Sequence, residues 1–163
     1  MGELLNDHLK EYKKQIEIGH IQKAYRGLME YIMALRTRFL NEYPDRYIVG
    51  GVYPGYMDIT YFPFTPKSLK RHKLKIAIVF NHVNFRFEIW LAGQNRQIQK
   101  KYWEIFKGSD WNKYNIPETT TEGFSIVDHI LVESPDFDDL EALTQQIESE
   151  AMKFIREITK VLG

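Results

Sequence analysis

Apolar and polar residues alternate with period two on both sides of Asn81-His82-Val83-Asn84, and the alternation stays in step across the turn. Pairing Phe80 with Phe85 sets Ile78 against Phe87, Ile76 against Ile89 and Leu74 against Leu91, so one face of a hairpin over 73–80 and 85–91 is wholly apolar. The intervening positions pair Val79 with Arg86, Ala77 with Glu88 and Lys75 with Trp90, a mixed polar and aromatic face. Two further strands are predicted near 47–53 and 56–63, joined through Tyr53-Pro54-Gly55-Tyr56. Pro then Gly suits a type II turn, which is not the turn of tight hairpins, so a bulge or wider loop is expected there. Tyr47, Val49, Asp58, Thr60 and Phe62 then share one face, and Ile48, Val52, Met57, Ile59 and Tyr61 the other.

The remaining apolar residues recur with helical spacing. Leu5, Leu9, Tyr12 and Ile16 form a stripe over 3–18 that Gly19 closes. Ile21, Tyr25, Leu28, Ile32, Leu35 and Phe39 form a heptad-spaced stripe over 21–43 that ends at Pro44. The short Gly19-His20 junction predicts a helical hairpin or a bent pair. Thr65-Pro66 reads as an N-cap with Pro at the first position of a short helix to about residue 72. A helix after Gly93 places Ile98, Tyr102, Ile105 and Phe106 on one side and stops at Gly108. Residues 109–123 have no period and read as a long loop anchored by aromatic rings, and 124–133 as a fifth strand. Asp138 and Glu141 resemble a capping box opening a last helix, striped by Leu140, Leu143, Ile147, Ala151, Phe154, Ile158 and Leu162. The order predicts one α+β domain over 1–163. It has an N-terminal helical hairpin and a mainly antiparallel sheet of about five strands, with helices packed on one face.

Composition adds limits. With 44% apolar and 14% aromatic residues the chain is globular. The absence of cysteine removes thiol nucleophiles, disulfides and cysteine-held metals, and fits a cytoplasmic location. The start lacks the pattern of a signal peptide, and no apolar run is long enough to span a membrane. A net charge of zero hides a split: residues 1–117 hold 19 Lys/Arg and 11 Asp/Glu, whereas 118–163 hold 3 and 11. Either the acidic C-terminal helix docks on the basic remainder, or a basic surface is left for an anionic partner.

The search for chemistry is mostly negative. The five histidines are scattered, and there is no His-Glu-x-x-His pattern, Gly-x-Ser-x-Gly elbow, Walker loop or dinucleotide fingerprint. No cofactor is implied and no metal is expected, although Asp58, Glu88 and a histidine remain a combination that folding would have to bring together. Two groupings stand out. On the polar sheet face lie Asp58, Lys75, Arg86 and Glu88 with Trp90; Lys75 opposite Trp90 suits a cation–π pair. These four are the catalytic candidates, although the sequence Phe87-Glu88-Ile89-Trp90 lacks the lysine two positions after the acid that metal-dependent nucleases use. The second grouping is Thr65-Pro-Lys67-Ser-Leu-Lys70-Arg71-His-Lys73, whose Thr65, Lys67, Lys70 and Arg71 are the candidates for holding an anion at a helix start. Basic residues interleaved with rings at 100–103 and 111–114 would suit stacking on single-stranded nucleic acid.

The runs at 55–70 (Gly-Tyr-Met-Asp-Ile-Thr-Tyr-Phe-Pro-Phe-Thr-Pro-Lys-Ser-Leu-Lys), 75–82 (Lys-Ile-Ala-Ile-Val-Phe-Asn-His) and 90–103 (Trp-Leu-Ala-Gly-Gln-Asn-Arg-Gln-Ile-Gln-Lys-Lys-Tyr-Trp) resemble an uncharacterised family of small bacterial single-domain proteins, nearly end to end. That resemblance implies no activity, cofactor or catalytic residue. The order of elements is also similar to a domain at the C-terminus of some predicted bacterial nucleases, a likeness of layout without a catalytic motif. The expectation is a non-enzymatic binding or interaction module. Its partner is a second copy through the stripe at 21–39, or an anionic ligand or nucleic acid, and not a membrane. The alternative is a nucleic-acid-processing or phosphate-ligand enzyme using the polar sheet face.

Overall fold

A computed structural model describes residues 4–119 and 125–163, which group into two compact units, one ending at Leu35 and one from Arg36 to Gly163. The expected loop residues 120–123 and the first residue of the expected fifth strand lie outside the described residues.

The first unit holds α1 (Leu5–Ile18) and the earlier part of α2 (His20–Glu42). Gly19 separates them with φ of 94°, and its N–H donates to Gln15 O, a left-handed stop that glycine adopts without strain. Gln22 Nε2 donates to Ile16 O across the junction. The stripe of α1 forms as expected but buries nothing: Leu5, Leu9, Tyr12 and Ile16 all remain in water.

In the second unit, β1 (Tyr47–Val49), β2 (Ile59–Pro66), β3 (Leu74–Asn81), β4 (Arg86–Gly93) and β5 (Val127–Val132) form one antiparallel sheet in chain order. The other helices are α3 (Lys67–Lys70), α4 (Arg96–Lys107) and α5 (Leu140–Leu162). The architecture is α+β, as the pattern predicts. Thr60, Phe62, Phe64, Ile76, Ile78, Phe80, Phe87, Ile89 and Leu91 share the buried face of the sheet. Phe39 at the end of α2 packs on Phe62 and Phe64, while α5 brings Leu143, Ile147, Ala151, Phe154 and Ile158 onto β4 and β5. Burying these rings and branched chains is the main stabilising term.

The β3–β4 register is two residues from the expected one: Phe80 pairs with Phe87, Ile78 with Ile89 and Ile76 with Leu91. A shift of two leaves every side chain on its predicted face, because the side-chain period is two. The cause is the turn. Asn81 ends β3, and its Oδ1 accepts from the amides of Val83 and Asn84, so 82–85 loop out. Phe85 consequently sits in the turn with φ of 53° and is 56% exposed, not packed in the core.

Between β1 and β2 a wide loop is present as expected, but it runs over 50–58, taking residues expected in both strands, while β2 extends to Pro66; a bridge between Tyr53 and Tyr61 closes it. Three caps and contacts also differ from expectation. Thr65 does not cap α3; it lies in β2, and its hydroxyl is taken by the N–H and C=O of Ile76. Asp139, not Asp138, caps α5, accepting from Ala142 N at 3.2 Å, and Leu140 is exposed. Ile105 faces water, so α4 buries only Tyr102 and Phe106. The loop after α4 is anchored by rings as predicted: Trp111 on Phe106, Tyr114 on Phe154, and Trp103 Nε1 donating to Pro117 O.

Part of the acidic last helix pairs with cations from elsewhere in its unit. Glu148 accepts from Arg38 Nε at 3.2 Å and from Tyr43 Oη at 2.7 Å, and Glu157 pairs with Lys113 at 2.7 Å. Burial, then the hydrogen bond to Glu148, pushes the Tyr43 phenol up to about 12. A raised folded value stabilises below the unfolded value, near 10, and that stability is lost as pH rises from there to about 12. Tyr43→Phe should therefore flatten the fall in melting temperature above pH 10 and remove a phenol that ionises at about pH 12 from an ultraviolet titration. An unchanged alkaline profile would show that the phenol is not held by Glu148.

Candidate functional site

On the face of the sheet away from the helices, Glu88 is a carboxylate only 6% exposed. Its Oε2 accepts from Arg86 Nε at 2.8 Å and Asn81 Nδ2 at 3.1 Å, and its Oε1 from Trp90 Nε1 at 2.8 Å. Period two explains the set: Arg86, Glu88 and Trp90 point to one side of β4, and Asn81 faces Arg86 across the pair. Arg86 also reaches Glu133 at 3.4 Å. The hydrogen bond to Glu88, against some desolvation, raises its pKa. Glu88 is thus a satisfied structural anion, its oxygens already occupied by three donors.

The other two catalytic candidates are not brought to it by strand pairing. Lys75 faces Ala92, not Trp90, so the expected cation–π pair has no counterpart across the strands. Glu88 faces Val79, four residues along β3 from Lys75, or about 13 Å at 3.3 Å per residue. Asp58 precedes β2, and its Oδ1 accepts from the amides of Tyr56 (2.9 Å) and Ile59 (2.7 Å), which lower its pKa. Its task is to fold the loop.

Beside it, Thr60 is fully buried and its hydroxyl donates to Pro54 O at 2.7 Å. The 2.8 Å contact between Thr60 Oγ1 and His82 Nε2 is therefore one in which the imidazole N–H donates. Burial lowers the His82 pKa, partly countered by Asp58. This is the reverse of an activated hydroxyl: the proton of Thr60 points away from the base. Among the described residues no group of three or more His, Asp or Glu is placed to hold a metal ion.

The anion-binding candidates separate into two sets. Thr65 is buried and engaged with Ile76, and Arg71 Nη2 donates to Gly163 O at 2.7 Å. Lys67 and Lys70 project from α3 into water. Lys73, already in that sequence grouping, and Lys75 on the adjoining strand lie at the same end of the sheet, and the fold adds Arg96 from another segment. Lys73 and Lys75 stand at the start of β3, and the carbonyl of Lys73 accepts from Gln94 N, two residues before Arg96 opens α4. Among the described residues, none of Lys67, Lys70, Lys73, Lys75 and Arg96 has a carboxylate within 4.0 Å. Arg96 was not evident from the sequence; its one signal is that it follows Asn95, whose side chain caps α4 by accepting from Ile98 N at 3.0 Å. The interleaved rings are not open platforms: Tyr102 is buried, with Lys101 over its ring, and Trp111 and Tyr114 pack on Phe106 and Phe154.

Among the described residues no helix is long and apolar enough to cross a membrane. Neither a curated protein nor a solved structure matches the chain. One family profile does, over residues 5–162, and it spans nearly the whole length with these sheet and helix segments. The chain belongs to the family described as Domain of unknown function (DUF7000).

Proposed function

We propose that the protein is a non-enzymatic binding module of the cytoplasm that takes up an anionic, phosphate-bearing partner at the basic end of its sheet. The observation that carries this reading is the meeting of Lys67, Lys70, Lys73, Lys75 and Arg96 from three segments, all exposed and without a carboxylate partner among the described residues. Five like charges at one end of a sheet cost self-repulsion, which a bound polyanion relieves. Lysines act as compact point charges, so the binding has little sequence selectivity. The pairing of Glu88 with three donors, and the orientation of the Thr60 proton, favour binding over catalysis. The lack of cysteine suits a reducing compartment.

The test is titration of a mixed-sequence single-stranded oligonucleotide by anisotropy across a range of salt. Lys70→Ala/Lys75→Ala should weaken binding alike for all sequences and lower the logarithmic salt slope by about 0.7 for each phosphate no longer neutralised. Melting temperature should not change, since both side chains lie in water. Absence of binding at low salt, or an unchanged slope in the variant, would refute the reading.

A further inference from the structure

The opposite end of the sheet carries a different surface. We propose that it docks a basic protein segment bearing apolar anchor residues. Two connections build it: the loop 50–58 before β2 and the turn 82–85 between β3 and β4. They are tied together, because His82 N donates to Asp58 O at 2.9 Å and His82 Nε2 meets Thr60, whose hydroxyl holds Pro54 O. Asp58 Oδ1 and Gly55, with φ of 71°, fix the rest of the loop.

What this cross-linked frame presents to water is apolar. Met57 adjoins Asp58 and Val83 adjoins His82, the two residues that join the loops. Tyr56 is 90% exposed, Val83 82%, and Met57, Phe85 and Tyr53 are about half exposed. Met57 and Phe85 hold φ of 62° and 53°. A side chain in that region is disfavoured and persists only where its surroundings over-determine it, as they do here. Tyr, Phe and Met side chains grouped on a strained but fixed backbone frame are the composition of interface centres.

The charges at this end select the partner. Asp58 borders the loop, and Asp136 and Asp138 lie beyond the end of β5 on either side of Phe137, whose ring reaches the Phe85 ring at 6.2 Å. Arg86, a cation at this end, is already paired with Glu88 and Glu133. An acidic border repels an anionic membrane surface and attracts a basic segment. This surface is independent of the basic end, and either reading stands if the other fails.

The experiment uses the full chain and a synthetic amphipathic Leu/Lys peptide, with its Leu/Glu counterpart as control, followed by anisotropy and by amide shifts in nuclear magnetic resonance. The Leu/Lys peptide should shift amides of 53, 55–58 and 82–86, and Tyr56→Ser/Val83→Ser should weaken it about tenfold or more. Melting should be unaltered, since both replaced residues lie mostly in water. Shifts confined to the acidic face of α5, equal binding by the double variant, or equal binding of the Leu/Glu peptide would overturn the proposal. So would capture of the wild type by phosphatidylcholine/phosphatidylglycerol vesicles through these residues, or a dimer in sedimentation that the double variant loses.

Discussion

Phe80→Ala is expected to lower the stability of the second unit by about 4 kcal/mol, the scale of deleting a fully enclosed aromatic ring. Phe80 is buried and meets the rings of Phe85, Phe87 and His82 at 5.0–5.1 Å and of Phe137 at 6.2 Å. The hole left would be lined by rigid rings on β4 and the turns, which cannot collapse into it without breaking strand pairing. Edge-to-face pairs add to the area term. Urea unfolding should show a lower midpoint with an unchanged slope. A loss below about 2 kcal/mol would mean that these rings are not packed as a unit. The same variant should also loosen Phe85, which rests on Phe80, and so reduce docking at the apolar end.

Glu88→Ala is expected to cost about 3 kcal/mol. The substitution leaves Arg86 Nε, Asn81 Nδ2 and Trp90 Nε1 without their shared acceptor in a site the sheet shields from water. Arg86 keeps Glu133, and its side chain is partly exposed, which holds the cost to the lower end of the range for breaking a buried pair. Glu88→Gln should recover only part, since its amide turns one donor toward another. Chemical denaturation of the three proteins decides the matter. A Glu88→Ala variant as stable as the wild type would remove the structural role and return Glu88 to the catalytic candidates.

The faces of the sheet were legible in the sequence because alternation alone fixes them. The register of β3 against β4 was not, because any even shift keeps the same faces. The deciding interaction is Asn81 Oδ1 receiving two turn amides, a local competition that hydrophobic pattern does not record. Thr65 misled for a related reason: Thr-Pro suits a helix start, but Ile76 on the neighbouring strand claimed the hydroxyl. Of the site candidates, the Arg86–Glu88 contact follows from period two along one strand and could be anticipated. The meeting of Arg96 with Lys67, Lys70 and Lys73, and the tie between Asp58 and His82, depend on which strand ends meet, so they appear only in the fold.

Because the sheet runs β1-β2-β3-β4-β5 in chain order, its assembly has a kinetic consequence. Every strand pairs with the one before it, and no crossover must be threaded. The 82–85 turn closes a very short loop, and the entropy of closure grows only logarithmically for the longer ones. The β3–β4 hairpin is thus the cheapest pair to nucleate, with β2 adding on one side and β5 on the other. Contacts between sequence neighbours lower the contact order, which places such a sheet among the faster β-containing folds. The late and costly step is the seating of α5, whose partners Arg38 and Tyr43 lie more than a hundred residues earlier. Until it docks, the apolar face of β4 and β5 stands open to water, and this is the interval in which the chain is most prone to aggregate.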